Sequence, residues 1–352
     1  MLLLLYLAVA AGGAMILAPL AGRLAARVGA EDRPDLARKV HREVTPRLGG
    51  LAILAGALLA VGAAVLSGSP GGERIAELPV PIAGLGVAAL LIAAVGFADD
   101  VWTLSPWVKL AGELAAAGVA WAAGFRIETL DLGLGAVRLG PLAAAATILW
   151  MVAAMNALNL IDGLDGLAAT MALLAVAPLA IQAVLASGPV AAVVAVALAG
   201  GVAGFLVHNA PPARQFMGSC GSLLIGLVLA CLAVGTLRGK VGFNPAVPAL
   251  ALGVPLLDTF LAVLRRVARG ENPMRADRQH LHHRLLDAGF GPRRAVAALA
   301  AVQGFFSLLA VASLLLPREL SLVPLVPAAV AAALLAHRLG YGALISGRRG
   351  RG

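Results

Sequence analysis

Residues 156–167 read Asn-Ala-Leu-Asn-Leu-Ile-Asp-Gly-Leu-Asp-Gly-Leu and lie between two long apolar runs. Asn156, Asn159, Asp162 and Asp165 recur every third residue, a spacing that keeps them near one face of a helix. Carboxylates beside lipid-grade helices are costly and mark a pathway or a site. Interhelical hydrogen bonding is the plainer use of such groups. Gly163 and Gly166, however, weaken a helix here and suit a break that opens backbone and carboxylates to a ligand. Asp99 and Asp100 are adjacent, so they repel and need a cation or a proton between them. Hard oxygen ligands suit Mg²⁺, which binds through one or two carboxylates plus substrate phosphates; a pair of solvated helix-end charges is the alternative.

Three histidines, His280, His282 and His283, stand among Arg275, Arg278 and Arg284. Zinc would need a cysteine or a suitably spaced fourth ligand, and the arginines disfavour a cation. Imidazole and guanidinium groups together make better donors to phosphate, with a solvated basic loop as the alternative. Residues 38–50 are basic and then turn-forming, and Pro46 with Gly49-Gly50 predicts a shaped loop with close backbone approach. His208 and His337 read as interface residues. Cys220 and Cys231 share one predicted helix about 16 Å apart, too far for a disulfide.

The elements that must hold these groups are membrane helices. The chain has 352 residues, is 61% hydrophobic and 13% charged, and has a mean hydropathy of +0.93. Apolar runs of about twenty residues match the hydrocarbon core of a bilayer, whereas a β-barrel would show short alternating strands. The sequence predicts an all-α polytopic membrane protein, one domain over 1–352. It places eleven spans near 1–22, 48–67, 81–97, 108–124, 140–158, 166–186, 189–208, 219–237, 245–264, 296–316 and 321–339. The first lacks a basic n-region and a cleavage site, so it reads as a retained helix. With the N-terminus outside, twenty-one basic residues fall on the inner side and six on the outer, which predicts a cytoplasmic C-terminus.

The formal charge of +9 is then mainly a topology signal, with anionic headgroups as its partner. Aromatic residues are only 4% of the chain and none interleave with the basic clusters, which argues against nucleic acid. On this topology Asp99-Asp100, Asn156–Asp165, His208-Asn209, residues 216–222 and residues 265–284 all reach the cytoplasmic face. A transporter with intramembrane proton relays is the competing class, but it predicts internal repeats, and none is evident.

Together these segments resemble the polyprenyl-phosphate N-acetylhexosamine-1-phosphate transferases, glycosyltransferase family 4, over about 39–290. The residues that carry the resemblance are Lys39-Val40-His41 through Pro46-Arg47-Leu48-Gly49-Gly50, Gly96-Phe97-Ala98-Asp99-Asp100, and Asn156 through Gly166. They continue with Asn209, Pro211-Pro212-Ala213 and Phe216-Met217-Gly218, and end with Asp277-Arg278-Gln279-His280-Leu281-His282-His283-Arg284. The resemblance implies a bacterial inner-membrane enzyme that transfers a sugar-1-phosphate, GlcNAc-1-phosphate by expectation, from a UDP-N-acetylhexosamine to undecaprenyl or another polyprenyl phosphate. UMP would leave, Mg²⁺ would assist with Mn²⁺ as a substitute, and cell-surface polysaccharide or cell-wall glycan synthesis would begin. A homodimer is compatible with it.

By the same resemblance Asp99, Asp100 and Asp162 would be catalytic, and with Ser219 they would form the metal set. Asn159 and Asp165 would line the nucleotide region, and Asn209 and Phe216 would contact the uracil end. Lys39, Arg42, Asn156, Arg265, Arg266, Arg278, His280, His282, His283 and Arg284 complete the substrate set. The His-Leu-His-His-Arg form is similar to the branch that makes lipid-linked N-acetylglucosamine. The branch acting on a pentapeptide-bearing sugar, kept as an alternative, has three consecutive histidines before an acidic residue. One departure matters: the family's Met-Gly-Asp reads Met217-Gly218-Ser219 here, a hydroxyl in place of a metal-binding carboxylate. A member that binds without turnover is therefore the second expectation.

Overall fold

A computed structural model describes residues 1–32, 44–235, 243–271 and 279–341. The chain opens with helix α1 (Leu2–Val28), followed by the paired two-residue strands β1 (Glu31–Asp32) and β2 (Thr45–Pro46). Helices α2 (Gly49–Leu66), α3 (Pro70–Ala76), α4 (Val80–Trp102) and α5 (Pro106–Ala122) come next, then a small hairpin of β3 (Thr129–Asp131) and β4 (Ala136–Arg138). Helices α6 (Leu142–Ile161), α7 (Leu167–Ser187), α8 (Pro189–Asn209) and α9 (Gly218–Val234) make up the middle of the bundle. The last third holds α10 (Ala246–Ala251), α11 (Gly253–Ala268), α12 (Leu281–Asp287), α13 (Pro292–Leu315) and α14 (Leu325–Arg338).

Each of the eleven expected apolar segments has helix over most of its described residues, the ninth divided into α10 and α11 at Leu252. Among the described residues, seven helical stretches are long and apolar enough to cross a membrane: α1, α2, α4, α6, α8, α13 and Arg318–Arg338, which includes α14. Helices α5 and α9 (17 residues each) and α11 (16 residues) fall short of the roughly 20 residues needed to span hydrocarbon untilted. The protein is a polytopic helical membrane protein.

Helix α9 is the axis of the bundle. Every residue from Cys220 to Val234 is buried, and α4, α6, α2 and α7 pack around it. A helix apolar on all sides is expected in such a core position. Helix α1 packs on α2 and α8 as a flanking layer, and α13 closes the far side against α7, α10 and α11.

Close approach at the start of α9 sets up the site. A Cβ on Gly96 of α4 or on Gly50 of α2 would run into the backbone of Cys220 or Gly221. Glycine at both positions lets three backbones converge, and Gly49 N and Gly50 N donate to Phe216 O and Met217 O at 3.0 and 2.9 Å. The first amides of α9 are thereby pressed onto the last turn of α4.

Candidate active site

The two carboxylates at the end of α4 have different tasks. Asp100 accepts from Ser219 N and Cys220 N at 2.9 and 3.0 Å. It thus caps the N-terminus of α9 from another helix, where amides lack intrahelical partners and the helix dipole favours a negative charge. Asp99 takes a different set of partners. Its Oδ1 accepts from Leu104 N at 3.1 Å, and its Oδ2 from Lys109 Nζ at 2.9 Å and Ser219 Oγ at 2.6 Å.

Lys109 reaches Asp99 because the chain reverses within three residues. Thr103 adopts a left-handed conformation (φ 52°) that ends α4, and Ser105 caps α5 ahead of Pro106 by accepting from Val108 N. The first turn of α5 then faces the last turn of α4. Lys109 Nζ also lies 3.2 Å from Ser219 Oγ, and Asn159 Oδ1 lies 3.0 Å from Ser222 Oγ. Asp99, Lys109 and Ser219 therefore form one closed cluster with an internal cation.

Asp162 follows the end of α6, where the helix breaks. Gly163 N donates to Ile161 O, and Gly166 takes a left-handed φ of 73° before α7 begins. The Asp162 carboxyl is half-buried and has no hydrogen-bond partner among the described residues. Burial, followed by the charge of Asp100, pushes its pKa up to about 7, while Arg47 acts in the opposite direction.

Two neighbours fix the broken segment. Asp165 Oδ2 accepts from Ala213 N at 2.9 Å, and Asn209 joins Gly166 N (3.1 Å) to Gln215 O (3.0 Å). The loop between α8 and α9 is thus laced to the α6–α7 break.

Part of this set opens onto one cavity of about 1140 Å³, whose lining does not include Asp99, Lys109 or Asn209. Its walls include Asp100, Asn159, Asp162, Asp165, Phe216, Ser219 and His283, with Asp32, Thr45, Arg47, Arg293 and Arg294 around them. It is roomier than the usual few hundred to ~1,000 Å³ of a small-molecule site and suits two phosphate-bearing ligands meeting.

Other expected residues lie elsewhere. Asn156 does not line the cavity: its amide donates to the buried Glu113 of α5 and to Val152 O. Arg265 and Arg266 are buried on α11, with Arg265 Nη1 donating to Gln279 O and its guanidinium above the Tyr341 ring. Arg284 is occupied by Leu339 O, to which Nε and Nη2 donate at 3.0 and 2.8 Å. His280 Nδ1 pairs with buried Asp258 Oδ2 at 2.8 Å. Of the three histidines, His283 alone is on the cavity wall. Lys39, Arg42 and Arg278 lie outside the described residues.

His282 sits one layer back, its ring stacked on His280 and packed against the backbone of Gly163. Neither ring nitrogen has a partner, and burial, then His283, pushes its pKa down to about 3, so it is neutral. A Cβ at Gly163 would overlap this ring. Gly163→Ala is expected to destabilise the protein by about 1–3 kcal/mol through overpacking. Thermal unfolding in detergent checks this, and Gly163→Ala/His282→Ala should recover most of the loss.

Several residues at or behind the cavity wall are not legible from spacing. Lys109 reads as a lone inner cation, and Arg293 and Arg294 as topology charge. Gly291-Pro292, a helix start just before them, is the available signal. Arg47 is visible only as part of its loop motif, although it pairs with Asp32 beside the cavity.

Comparison with known proteins shows the family of this chain. The model of the family described as Glycosyl transferase family 4 matches residues 82–236, which contain both the Asp99-Asp100 pair and the α6–α7 break. A Bacillus subtilis (strain 168) protein, a probable undecaprenyl-phosphate N-acetylglucosaminyl 1-phosphate transferase, is 33% identical over 300 residues. The match covers 84% of this chain and 81% of that protein. The chain belongs to the polyprenyl-phosphate N-acetylhexosamine-1-phosphate transferases.

Other members of the family match over similar lengths. The decaprenyl-phosphate N-acetylglucosaminephosphotransferase of Mycolicibacterium smegmatis is 36% identical over 301 residues, covering 78% of this chain and 72% of that one. The undecaprenyl-phosphate alpha-N-acetylglucosaminyl 1-phosphate transferase of Escherichia coli K12 is 29% identical over 319 residues, covering 86% and 82%.

A transferase of this family is expected to use Mg²⁺, so the donor set decides what this chain could hold. Asp99 and Ser219 are both engaged by the Lys109 ammonium, which opposes a second cation at the same oxygens. Among the described residues no three Asp, Glu, His or Cys side chains gather closely enough to enclose a metal. Asp100 and Asp162 remain. Two carboxylates fit a cation that takes its other ligands from water and substrate phosphates, and they do not fit one held by protein alone.

Proposed function

We propose that the chain transfers N-acetylglucosamine-1-phosphate from a UDP-sugar to a polyprenyl phosphate, releasing UMP. The observation that carries this reading is the cavity where Asp100, Asp162 and Asp165 face Arg47, Arg293, Arg294 and His283, in a chain that belongs to this family. In the reaction an oxygen of the lipid phosphate attacks the β-phosphorus of the donor. The bond from that phosphorus to the bridging oxygen breaks, and UMP leaves with the electron pair. The family's relatives support the acceptor class and the amino sugar through their names; the nucleotide and the leaving group are inferred from phosphoryl-transfer chemistry.

Two anions must be brought together, so charge compensation dominates the barrier. Arg47, Arg293, Arg294 and His283 donate to phosphate oxygens. Asp162 faces the reacting groups, and Asp99 orients Lys109 and Ser219, of which Ser219 lies on the cavity wall. When bound, Mg²⁺ would be held by Asp100 and Asp162 and would offset charge on the diphosphate. Eleven membrane-crossing segments, an outside N-terminus and a cytoplasm-facing cavity in a bacterial inner membrane are part of this proposal, supported by the inner-side bias of the basic residues. The pathway would be the opening step of a surface polysaccharide or cell-wall glycan.

The test is UMP release by purified protein given UDP-GlcNAc, polyprenyl phosphate and Mg²⁺. A second reading, nucleotide binding without turnover, is favoured by one observation: Ser219 is bonded into the Lys109–Asp99 cluster. Ser219→Asp separates the two readings. If the native chain is silent and Ser219→Asp releases UMP, the native protein is a binder; turnover by the native chain rules that reading out.

A further inference from the structure

A second cleft of about 460 Å³ lies on the other side of the segment that walls the main cavity. It is lined by Gly22 and Arg23 of α1, by Pro46, by His208 of α8, and by Arg214 and Gln215 of the loop between α8 and α9. Phe216, the next residue, faces the main cavity, so the two spaces share one backbone wall.

The charged groups of this cleft are cations. Arg23 and Arg214 are exposed and have no ion pair among the described residues, and the lining contains no carboxylate. Gln215 is the independent sign of a ligand. It is 3% exposed, and its Nε2 has no hydrogen-bond partner. A buried amide N–H₂ left unmatched carries a desolvation cost that an acceptor from outside would remove.

The backbone holds this amide in place, because Arg214 N and Gln215 N both donate to His208 O and Asn209 Nδ2 donates to Gln215 O. Gly22 packs directly in front of it: a Cβ there would make ordinary contact with Gln215 Nε2 at 3.9 Å and with Pro46 Cγ at 3.6 Å. Beside the cleft, Ile16 and Leu20 of α1 and Val207 of α8 are exposed apolar side chains.

We propose that this cleft binds the phosphodiester headgroup of an anionic membrane phospholipid. Its oxygens accept from Arg23, Arg214 and the Gln215 amide, while its acyl chains lie along the apolar surface of α1 and α8. Basic pockets between membrane helices bind phospholipid headgroups in this manner. A headgroup seated here buttresses the Pro46 and Gln215 segments from outside the reaction cavity. The inference does not depend on turnover in that cavity.

Native mass spectrometry of the full chain tests it, with phosphatidylglycerol and phosphatidylcholine of the same acyl chains offered at equal concentration. The wild type should retain one phosphatidylglycerol in preference to phosphatidylcholine. Arg214→Ala should weaken retention about fivefold. Gly22→Leu, which fills the cleft, and Gln215→Leu, which removes the donor, should both abolish the single bound lipid while melting within a few degrees of wild type.

Equal retention of phosphatidylglycerol by wild type and both leucine variants would overturn the proposal in favour of diffuse headgroup attraction. Displacement of the bound lipid by undecaprenyl phosphate at equal concentration would overturn it in favour of the acceptor. Displacement by inorganic phosphate alone would reduce the cleft to a site for free anions and would also count against it.

Discussion

Asp162→Asn should lower turnover by about 10²- to 10³-fold, the usual cost of removing one preorganised charged group from a reacting centre. The same change should make the protein more stable at pH 8. The folded pKa of Asp162 is near 7 against an ordinary value of 3.8, so the folded state holds the proton more tightly than the unfolded one. Stability from this group is therefore full below about pH 4 and is lost as pH rises towards 7. At pH 8 the wild type carries a half-buried ionised carboxylate at a cost of up to a few kcal/mol, which asparagine avoids. Unfolding measured in EDTA across pH 5–8 should show the wild-type midpoint falling more steeply than the variant's. Lost activity with gained stability is the signature of a group kept for chemistry, and parallel losses would mark Asp162 as structural.

The second large effect is expected at Lys109. The side chains of Lys109 and Asp99 are each 15% exposed and 2.9 Å apart. Removing one partner of a buried ion pair strands the other, a cost of about 3–5 kcal/mol. Lys109→Met should therefore both destabilise the protein by that order and abolish turnover, since Asp99 and Ser219 lose their shared cation. Ser219→Ala removes only one hydroxyl and should cost about 1 kcal/mol. Paired denaturation curves check the contrast. Equal costs for the two variants would show that Lys109 is not the centre of the cluster.

The helical elements could be read from hydropathy alone, because long apolar runs have few alternatives in a bilayer. The carboxylates at helix ends were also legible, being expensive wherever they are placed. Rotation was harder to read. Three residues advance a helix by roughly 300°, so an i, i+3 series drifts about 60° per step. Asn156 has consequently turned toward Glu113, while Asn159, Asp162 and Asp165 reach the cavity.

Partners set by distant chain reversals were not legible. Lys109 meets Asp99 only through the left-handed Thr103 turn. Arg284 is taken by Leu339, 55 residues further on, so a basic run that suits phosphate instead fastens the end of α14. The substitution at Ser219 was plain in the sequence, but its consequence was not: the hydroxyl lies within hydrogen-bonding reach of both Asp99 and the Lys109 ammonium.

The reaction proposed for this cavity joins a sugar phosphate to a lipid phosphate. Its most direct test is a quantitative assay of UMP and lipid-linked sugar from UDP-GlcNAc with and without polyprenyl phosphate. UMP and lipid product are expected in equal amounts, strictly dependent on the lipid and strongly reduced in Asp162→Asn. Binding of UDP-GlcNAc with no UMP under any lipid concentration, or UMP release that ignores the lipid, would contradict it.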